Sequence, residues 1–172
     1  MANNIEIKAR LDDPDRAHAL AERLSGGKAT LIEQEDTFFP SPRGRLKLRC
    51  FGDGRGELIA YSRPDVPGPK QSEYHIYPTD DPPALLRTLE YSLGIRGAVK
   101  KRRSLYLVGD TRIHIDEVDG LGHFLELEVV LQPGQTAEEG RAVAGPLMAE
   151  LGVRAEDLLE GAYIDLLERP RA

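Results

Sequence analysis

The chain has 172 residues, of which 40% are hydrophobic and 30% charged, and its formal net charge is −6. This length suits one domain with a full hydrophobic core. The net negative charge and the 6% aromatic content argue against a nucleic-acid-binding protein, which needs a cationic surface and stacking side chains. No window approaches the ~18 apolar residues of a membrane span. The first residues lack a signal-peptide core, and the single cysteine, Cys50, excludes an intramolecular disulfide, so a cytoplasmic protein without a membrane partner is expected.

The first half of the chain predicts one helix among several strands. Polar and apolar residues alternate from Asn4 to Leu11, which indicates a strand with one polar and one apolar face. Asp13 and Pro14 then begin a helix that Ser25-Gly26-Gly27 ends after about Leu24. Turns rich in Gly and Pro separate the strand-like runs that follow, at residues 29–39, 45–51, 57–63 and 70–77.

The second half repeats this organisation. A helix is expected to begin at Asp80-Asp81-Pro82-Pro83 and to end near Leu93, and another begins at the Thr136–Glu139 capping box. Strands are predicted at residues 98–108, 111–118 and 124–131, and a short helical piece at 155–167. About eight strands that follow one another as meanders, with three or four helices, favour a mostly antiparallel α+β fold over a doubly wound one.

Charged residues occupy every second position of several predicted strands. Arg45, Lys47 and Arg49 share one strand face, and Lys101 and Arg103 form a second cationic pair. Acids lie on the polar faces of other strands, at Glu6, Asp116, Glu126 and Glu128. A half-solvated sheet would explain any one of these faces. If instead the sheet closes with its polar faces inward, the cations would bind phosphate oxygens and the carboxylates would hold Mg²⁺ or Mn²⁺, as a polyphosphate substrate requires.

These motifs and their order resemble the CYTH superfamily, which is named for class IV adenylate cyclase and thiamine triphosphatase. The resemblance spans nearly the whole chain, so residues 1–172 are interpreted as one CYTH-like domain. It implies an eight-stranded antiparallel β-tunnel with flanking helices, whose members cleave triphosphates with Mg²⁺ or Mn²⁺. The motifs that carry it are residues 4–8, 36–39, 45–49, 100–103 and 114–128.

The resemblance also implies roles for the residues that match the family motifs. The catalytic set is Glu6, Lys8, Lys47, Arg49 and Arg103. The substrate-binding set is Arg45, Lys47, Arg49, Arg63, Lys70, Lys101 and Arg103. The metal-binding set is Glu6, Asp116, Glu126 and Glu128.

Two positions depart from the family pattern. Asn4 stands where the first motif Glu is expected, and an amide oxygen is a weaker metal ligand than a carboxylate. Ser62 stands where a fourth-strand Lys is expected, with Arg63 one position on, so Arg63 would face inward only if a bulge intervened. Lys70 is another replacement for that Lys. His114 shares a strand face with Asp116 and is interpreted as a wall histidine or a proton carrier.

Three functions remain open at this stage. The first is hydrolysis of inorganic or organic triphosphates, with tripolyphosphate, ATP or thiamine triphosphate as substrate. The second is a class IV adenylate cyclase, which would convert ATP to cyclic AMP and diphosphate. The third is a non-catalytic or repurposed binder of polyphosphate or organic diphosphates, which Asn4 and the missing Lys suggest. Family members are often dimeric, so a homodimer is also considered.

Overall fold

The computed structural model describes residues 2–169, which contain eight strands, four α-helices and one short 3₁₀ helix. The strands are β1 (Ala2–Arg10), β2 (Thr30–Phe39), β3 (Arg45–Phe51), β4 (Gly56–Ser62), β5 (Lys70–Thr79), β6 (Gly97–Val108), β7 (Thr111–Val118) and β8 (Gly122–Val130). The helices are α1 (Pro14–Ser25), α2 (Pro82–Leu93), α3 (Ala137–Glu150) and α4 (Tyr163–Glu168), and the 3₁₀ helix is Ala155–Asp157.

The eight strands form a closed antiparallel barrel in the order β1-β5-β4-β3-β2-β6-β7-β8. β8 pairs with β1 through residues such as Lys8 and Glu126, which closes the sheet. Closure gives each of the eight strands a hydrogen-bonded neighbour on both sides. The predicted α+β fold with an eight-stranded antiparallel tunnel is therefore confirmed.

The main hydrophobic core lies between the barrel's outer surface and the helices. Ile5 and Ile7 of β1 pack there with Ala17 and Ala21 of α1 and with Ala144 of α3. Side chains alternate along a strand, so burial of the isoleucines under the helices directs Asn4, Glu6 and Lys8 to the barrel interior. The helices that cover the barrel thus determine which charged residues point inward.

Local signals in the sequence account for the helix boundaries. Asp13 accepts a hydrogen bond from the Arg16 backbone N–H, and the predicted capping box between Thr136 and Glu139 is present. Gly26 ends α1 in the left-handed conformation, with φ of 71°, which glycine adopts without a Cβ clash. None of the helices within residues 2–169 has the length and hydrophobicity needed to cross a membrane.

The C-terminal segment differs from the single helical piece predicted at 155–167. The 3₁₀ helix ends at Asp157, an extended stretch follows, and α4 begins at Tyr163. The extended stretch attaches to β1: Leu158 forms an isolated bridge with Ala9, and the Leu159 N–H donates to the Lys8 carbonyl. This tertiary pairing satisfies backbone groups that a continuous helix would otherwise use, which the local sequence pattern does not encode.

Candidate active site

The barrel interior encloses a chamber of about 300 Å³ that is lined by side chains from all eight strands. Among the described residues, seven cationic side chains and five carboxylates line it, so both signs of charge meet in a confined space. The cations are Lys8, Lys47, Arg49, Arg63, Lys101, Arg103 and Arg112. The carboxylates are Glu6, Asp36, Glu57, Glu126 and Glu128.

Asp36 of β2 is the centre of a group of basic side chains. Its carboxylate accepts from Lys47 Nζ at 2.9 Å and from Arg49 Nε and Nη2 at 2.8 and 2.9 Å. Lys101 Nζ lies 3.8 Å away. Burial by itself would raise the pKa of Asp36, but the three cations outweigh burial and hold that pKa well below its usual value. Asp36 therefore stays ionised and holds the predicted phosphate-binding residues side by side.

Arg103 of β6 forms a second group with acids from the neighbouring strands. Its guanidinium donates two hydrogen bonds of 2.7 Å to Asp116 and one of 2.8 Å to Glu126. Lys8 Nζ lies 3.2 Å from the other oxygen of Glu126. The structure therefore brings together Lys8, Arg103 and Glu126 from the predicted catalytic and metal-binding sets.

Glu126 and Glu128 of β8 approach His114 of β7, and one ligand atom from each of the three lies within 4.8 Å of the others. His114 Nδ1 is 3.8 Å from an oxygen of each carboxylate, which is too long for a hydrogen bond. Two carboxylate oxygens and an imidazole nitrogen are donors that divalent cations accept. These three residues thus fit a divalent metal site.

The other two predicted metal ligands lie apart from this cluster. Glu6 binds Arg63, although its backbone pairs with Glu128 across β1 and β8. Asp116 is fully buried, and Arg103 and the Tyr163 hydroxyl occupy its carboxylate. The structure therefore brings Glu126 and Glu128 together with His114, and it engages Glu6 and Asp116 in ion pairs.

Arg63 lies on the chamber side of the sheet, without the bulge expected from the sequence. The β4–β5 register runs unbroken from Gly56 opposite Thr79 to Ser62 opposite Glu73. Tyr61, rather than Ser62, faces the chamber, so alternation directs Arg63 inward as well. Arg63 donates to Glu6 and to the Gly161 carbonyl. The expectation of a bulge was therefore wrong because it assigned the inner face of β4 to the wrong residues.

Two of the predicted substrate-binding residues are engaged at the edge of the chamber rather than along its wall. Arg45 donates to Asp65 and Asp165 at 2.9 Å. Lys70 donates to the carbonyls of Val66 at 2.8 Å and Leu159 at 3.3 Å. Both contacts tie the barrel to the loop after β4 and to the C-terminal segment.

The C-terminal segment covers one end of the barrel. Tyr163 is 4% exposed, and its ring lies 3.7 Å from Lys8 Nζ and 5.0 Å from Lys101 Nζ. Tyr163 and its neighbours pack against Phe38, Val99 and Phe124. These three residues lie at or near the covered end of their strands. The opposite end is open and partly apolar: the residues near it include Ile32, Phe51, Ile76 and Leu105. Toward this end the chamber therefore has apolar side chains as well as the charged residues Glu57 and Arg112.

A family model described as the CYTH domain matches residues 2–163. The chain belongs to the CYTH family. The adenylate cyclase CyaB of Aeromonas hydrophila is 27% identical to this chain in an alignment of 175 positions. The alignment covers 96% of this chain and 88% of the relative. A Methanocaldococcus jannaschii protein whose name also refers to an adenylate cyclase is 21% identical, over 94% of this chain and 97% of the relative.

Among solved structures, the PH1012 protein of Pyrococcus horikoshii OT3 is similar to the chain with a TM-score of 0.84. The two are 25% identical, and the alignment covers 95% of this chain and 98% of the other. The resemblance drawn from the sequence motifs is thus confirmed at the level of the family and of the fold.

The CYTH chamber of this chain contains three residues that are absent from the predicted site sets: Asp36, Tyr163 and His114, which was interpreted only as a wall histidine or a proton carrier. Asp36 lay within a family-like motif, and the pairing of β2 with β3 places it opposite Arg49. His114 lies opposite Glu126 across the β7–β8 hairpin, a position that counting back from the turn would have given. Tyr163 carried no such signal, because its place depends on the extended stretch before α4.

The Tyr163 hydroxyl is expected to anchor the C-terminal segment of this CYTH chain. It donates to buried Asp116 at 2.9 Å, and hydrogen bonds to charged groups contribute about 1.5–3 kcal/mol. Tyr163→Phe should therefore lower the free energy of unfolding by about that amount in urea titrations. The matched control is Tyr106→Phe, which removes a bond of 2.9 Å to His18 and should cost only about 0.5–1.5 kcal/mol. Equal losses in the two variants would contradict an anchoring role.

Proposed function

We propose that this protein is a divalent-metal-dependent hydrolase of triphosphates. One observation carries the proposal: the His114–Glu126–Glu128 cluster lies in the same chamber as the basic residues gathered around Asp36 and Arg103. Anionic phosphate chains need several cationic donors, and a metal-competent set of ligands beside them supplies the other half of the requirement. The depth and covered end of the chamber suit a linear, highly charged chain.

The basic residues keep donors available for phosphate while they hold their acidic partners. Arg49 uses two of its five N–H groups on Asp36 and leaves the rest for phosphate oxygens. Lys47 is largely removed from solvent beside Arg49, and these two conditions lower its pKa to about 8. Together with Lys101 and Arg103 these groups would bind the phosphates and stabilise the charge that develops on the leaving diphosphate.

Glu126 and Glu128, with His114, would hold the divalent ion, which when bound polarises the phosphoryl oxygens and lowers the pKa of a water ligand. Lys101 is suited to proton transfer, because burial and the nearby Arg103 lower its pKa to about 7. We assign Lys101 the role of delivering a proton to the leaving phosphate oxygen. Tyr163 and the covered end of the barrel would restrict water to the open side of the chamber.

An adenylate cyclase is the second candidate function. Two relatives of 27% and 21% identity carry that name. The mouth of the chamber also has apolar side chains, including Phe51 and Leu105, that could contact a nucleoside while the phosphates lie deeper. In that case a ribose hydroxyl would replace water as the nucleophile, and the same basic residues would hold the triphosphate.

A ³¹P NMR time course tests the proposal. The protein is incubated with Mg²⁺ or Mn²⁺ and, in turn, with tripolyphosphate, ATP and thiamine triphosphate, and each reaction is repeated with excess chelator. We expect metal-dependent release of inorganic phosphate from at least one substrate. Diphosphate and cyclic AMP from ATP would instead establish the cyclase. Binding of tripolyphosphate without turnover of any substrate would contradict both enzymes and support a binder, for which Asn4 in place of Glu would be one cause.

Binding of tripolyphosphate should take up a proton at Lys101. Asp36 lies 3.8 Å and Asp116 4.0 Å from its Nζ, and the ring of Tyr163 lies 5.0 Å away. Arg49 and Arg103 oppose these acids, and burial is the largest influence that lowers the pKa of Lys101 to about 7. A bound anion favours the protonated amine and raises that pKa, so affinity is highest below pH 7 and falls as pH rises above it.

Calorimetry at pH 7.0 and 8.5 measures this loss. The wild type should lose about tenfold more affinity for tripolyphosphate over this interval than Lys101→Arg, whose side chain stays charged throughout. Tripolyphosphate itself ionises over this interval, but this changes the affinity of both proteins equally and cancels in the comparison. An identical pH dependence in the two proteins would exclude proton uptake at Lys101.

A further inference from the structure

His114 is a buried side chain whose ring nitrogen is left without a partner. The side chain is 5% exposed, and within residues 2–169 its Nδ1 has no hydrogen-bond partner. Buried polar atoms in proteins are almost always paired, so an unpaired one aimed at two acids needs an explanation. The neighbours of Nδ1 are oxygens of Glu126 and Glu128, each at 3.8 Å.

A direct ion pair between a protonated His114 and the two carboxylates does not explain the arrangement. The 3.8 Å separations are longer than hydrogen bonds to a charged imidazole. Both carboxylates also have cationic partners of their own: Glu126 contacts Lys8 and Arg103, and Glu128 contacts Arg112.

The spacing instead matches donors that share one cation. Divalent metals bind nitrogen and oxygen ligands at about 2.0–2.2 Å, so two donors on one ion lie about 3 to 4.4 Å apart. The 3.8 Å distances from Nδ1 to the two carboxylates fall within this range. A neutral imidazole has one nitrogen lone pair available as a metal ligand, and the other nitrogen carries the proton.

We propose that His114 supplies a nitrogen ligand to a divalent cation held with Glu126 and Glu128, so that this site favours Co²⁺, Mn²⁺ or Zn²⁺ over Mg²⁺. The reason is ligand chemistry: Mg²⁺ prefers an all-oxygen environment, whereas imidazole raises the affinity of transition metals. The inference deepens the proposed function, because it concerns the metal of the same chamber, but it is tested with metal alone and without any phosphate compound.

In the experiment, metal-stripped protein is titrated with Co²⁺ and with Mg²⁺. Calorimetry measures the affinity for each metal, and visible absorption monitors the bound Co²⁺. The wild type should bind Co²⁺ at least ~10-fold more tightly than Mg²⁺, and His114→Asn should lose ~10- to 100-fold in Co²⁺ affinity. The loss for Mg²⁺ should be smaller. His114→Asp replaces the nitrogen ligand with an oxygen ligand, so it should reduce the ratio of the Co²⁺ affinity to the Mg²⁺ affinity. The matched control His75→Asn changes an exposed histidine of β5 and should bind both metals as the wild type does.

Several outcomes would overturn the inference. They are equal affinities for Co²⁺ and Mg²⁺ in the wild type, unchanged Co²⁺ binding and absorption in His114→Asn, or an equal loss in His75→Asn. Thermal melts identify variants that fail to fold, and His114→Gln serves if His114→Asn is one of them. Tight, His114-dependent Co²⁺ binding without turnover of any triphosphate would contradict the proposed function alone. Metal-dependent turnover with His114-independent metal binding would contradict this inference alone.

Discussion

Asp36→Asn should destabilise the free protein by about 3–5 kcal/mol, because it removes one side of a buried ion-pair group and leaves the cations uncompensated. Asp36 is 2% exposed and bonds Lys47 and Arg49, with Lys101 3.8 Å away. The substitution keeps the size of the side chain and deletes only its charge. Urea or thermal unfolding measures the loss. Glu35→Gln, the adjacent exposed acid on the opposite face of β2, should change stability by less than about 0.5 kcal/mol.

Tripolyphosphate should restore much of the stability lost in Asp36→Asn. A bound phosphate chain supplies the negative charge that Asp36 normally provides, and a ligand stabilises a protein according to its affinity for the folded state. The ligand-induced rise in melting temperature should therefore be larger in Asp36→Asn than in the wild type or in Glu35→Gln. A smaller rise would show that Asp36 does more than balance the cations, for example by fixing their geometry for phosphate.

Glu126→Gln should reduce triphosphate turnover by ~100-fold or more, the range seen when one preorganised electrostatic group is removed from an active site. Glu126 contacts Lys8 and Arg103 and belongs to the cluster with His114. The amide would weaken the metal site and reorient both cations. Steady-state kinetics over a range of metal concentrations separates the two effects. Added metal restores the turnover lost through weaker metal binding, but it does not restore the turnover lost through misplaced cationic side chains.

Glu117→Gln is the control for Glu126→Gln. Glu117 lies on β7 and is exposed on the outer face of the barrel, away from the chamber. It should retain wild-type turnover and metal dependence. Turnover by Glu126→Gln at the wild-type rate would remove Glu126 from the reaction and with it the assignment of the metal-competent cluster to catalysis.

The strong period of two predicted the strands and their antiparallel arrangement, whereas the closed barrel was expected from the CYTH resemblance. In β1 and β8, isoleucine and leucine alternate with charged residues, and only one face can pack under the helices. The alternation placed Glu6 and Lys8 on one face of β1 and Glu126 and Glu128 on one face of β8, and the resemblance implied that these faces point inward. The match of Ser62 to the family's fourth-strand Lys gave the wrong face for Arg63. The segment around Tyr61 has apolar side chains on both faces, so the period of two could not correct this assignment.

The partners within the chamber could not be predicted from alternation alone. Which acid binds which base depends on strand register and side-chain reach, and these place Glu6 on Arg63 and Asp116 on Arg103. The resemblance named all four inward acids as metal ligands without regard to their partners, and in the structure two of them, Glu6 and Asp116, form ion pairs. Arg45 and Lys70 were expected on the wall, and tertiary contacts to Asp165 and Leu159 hold them at the covered end.

Because Tyr163 and its neighbours cover one end of the barrel, substrates and products must enter and leave the chamber through the same open end. A linear phosphate chain that enters with its terminal phosphate foremost places that group deepest, beside Lys8 and Arg103. If the protein hydrolyses an organic triphosphate as proposed, the longer fragment would then lie between the small fragment and the exit. The organic diphosphate would have to leave before inorganic phosphate. A barrel open at both ends would impose no order of release, and its two products could leave independently.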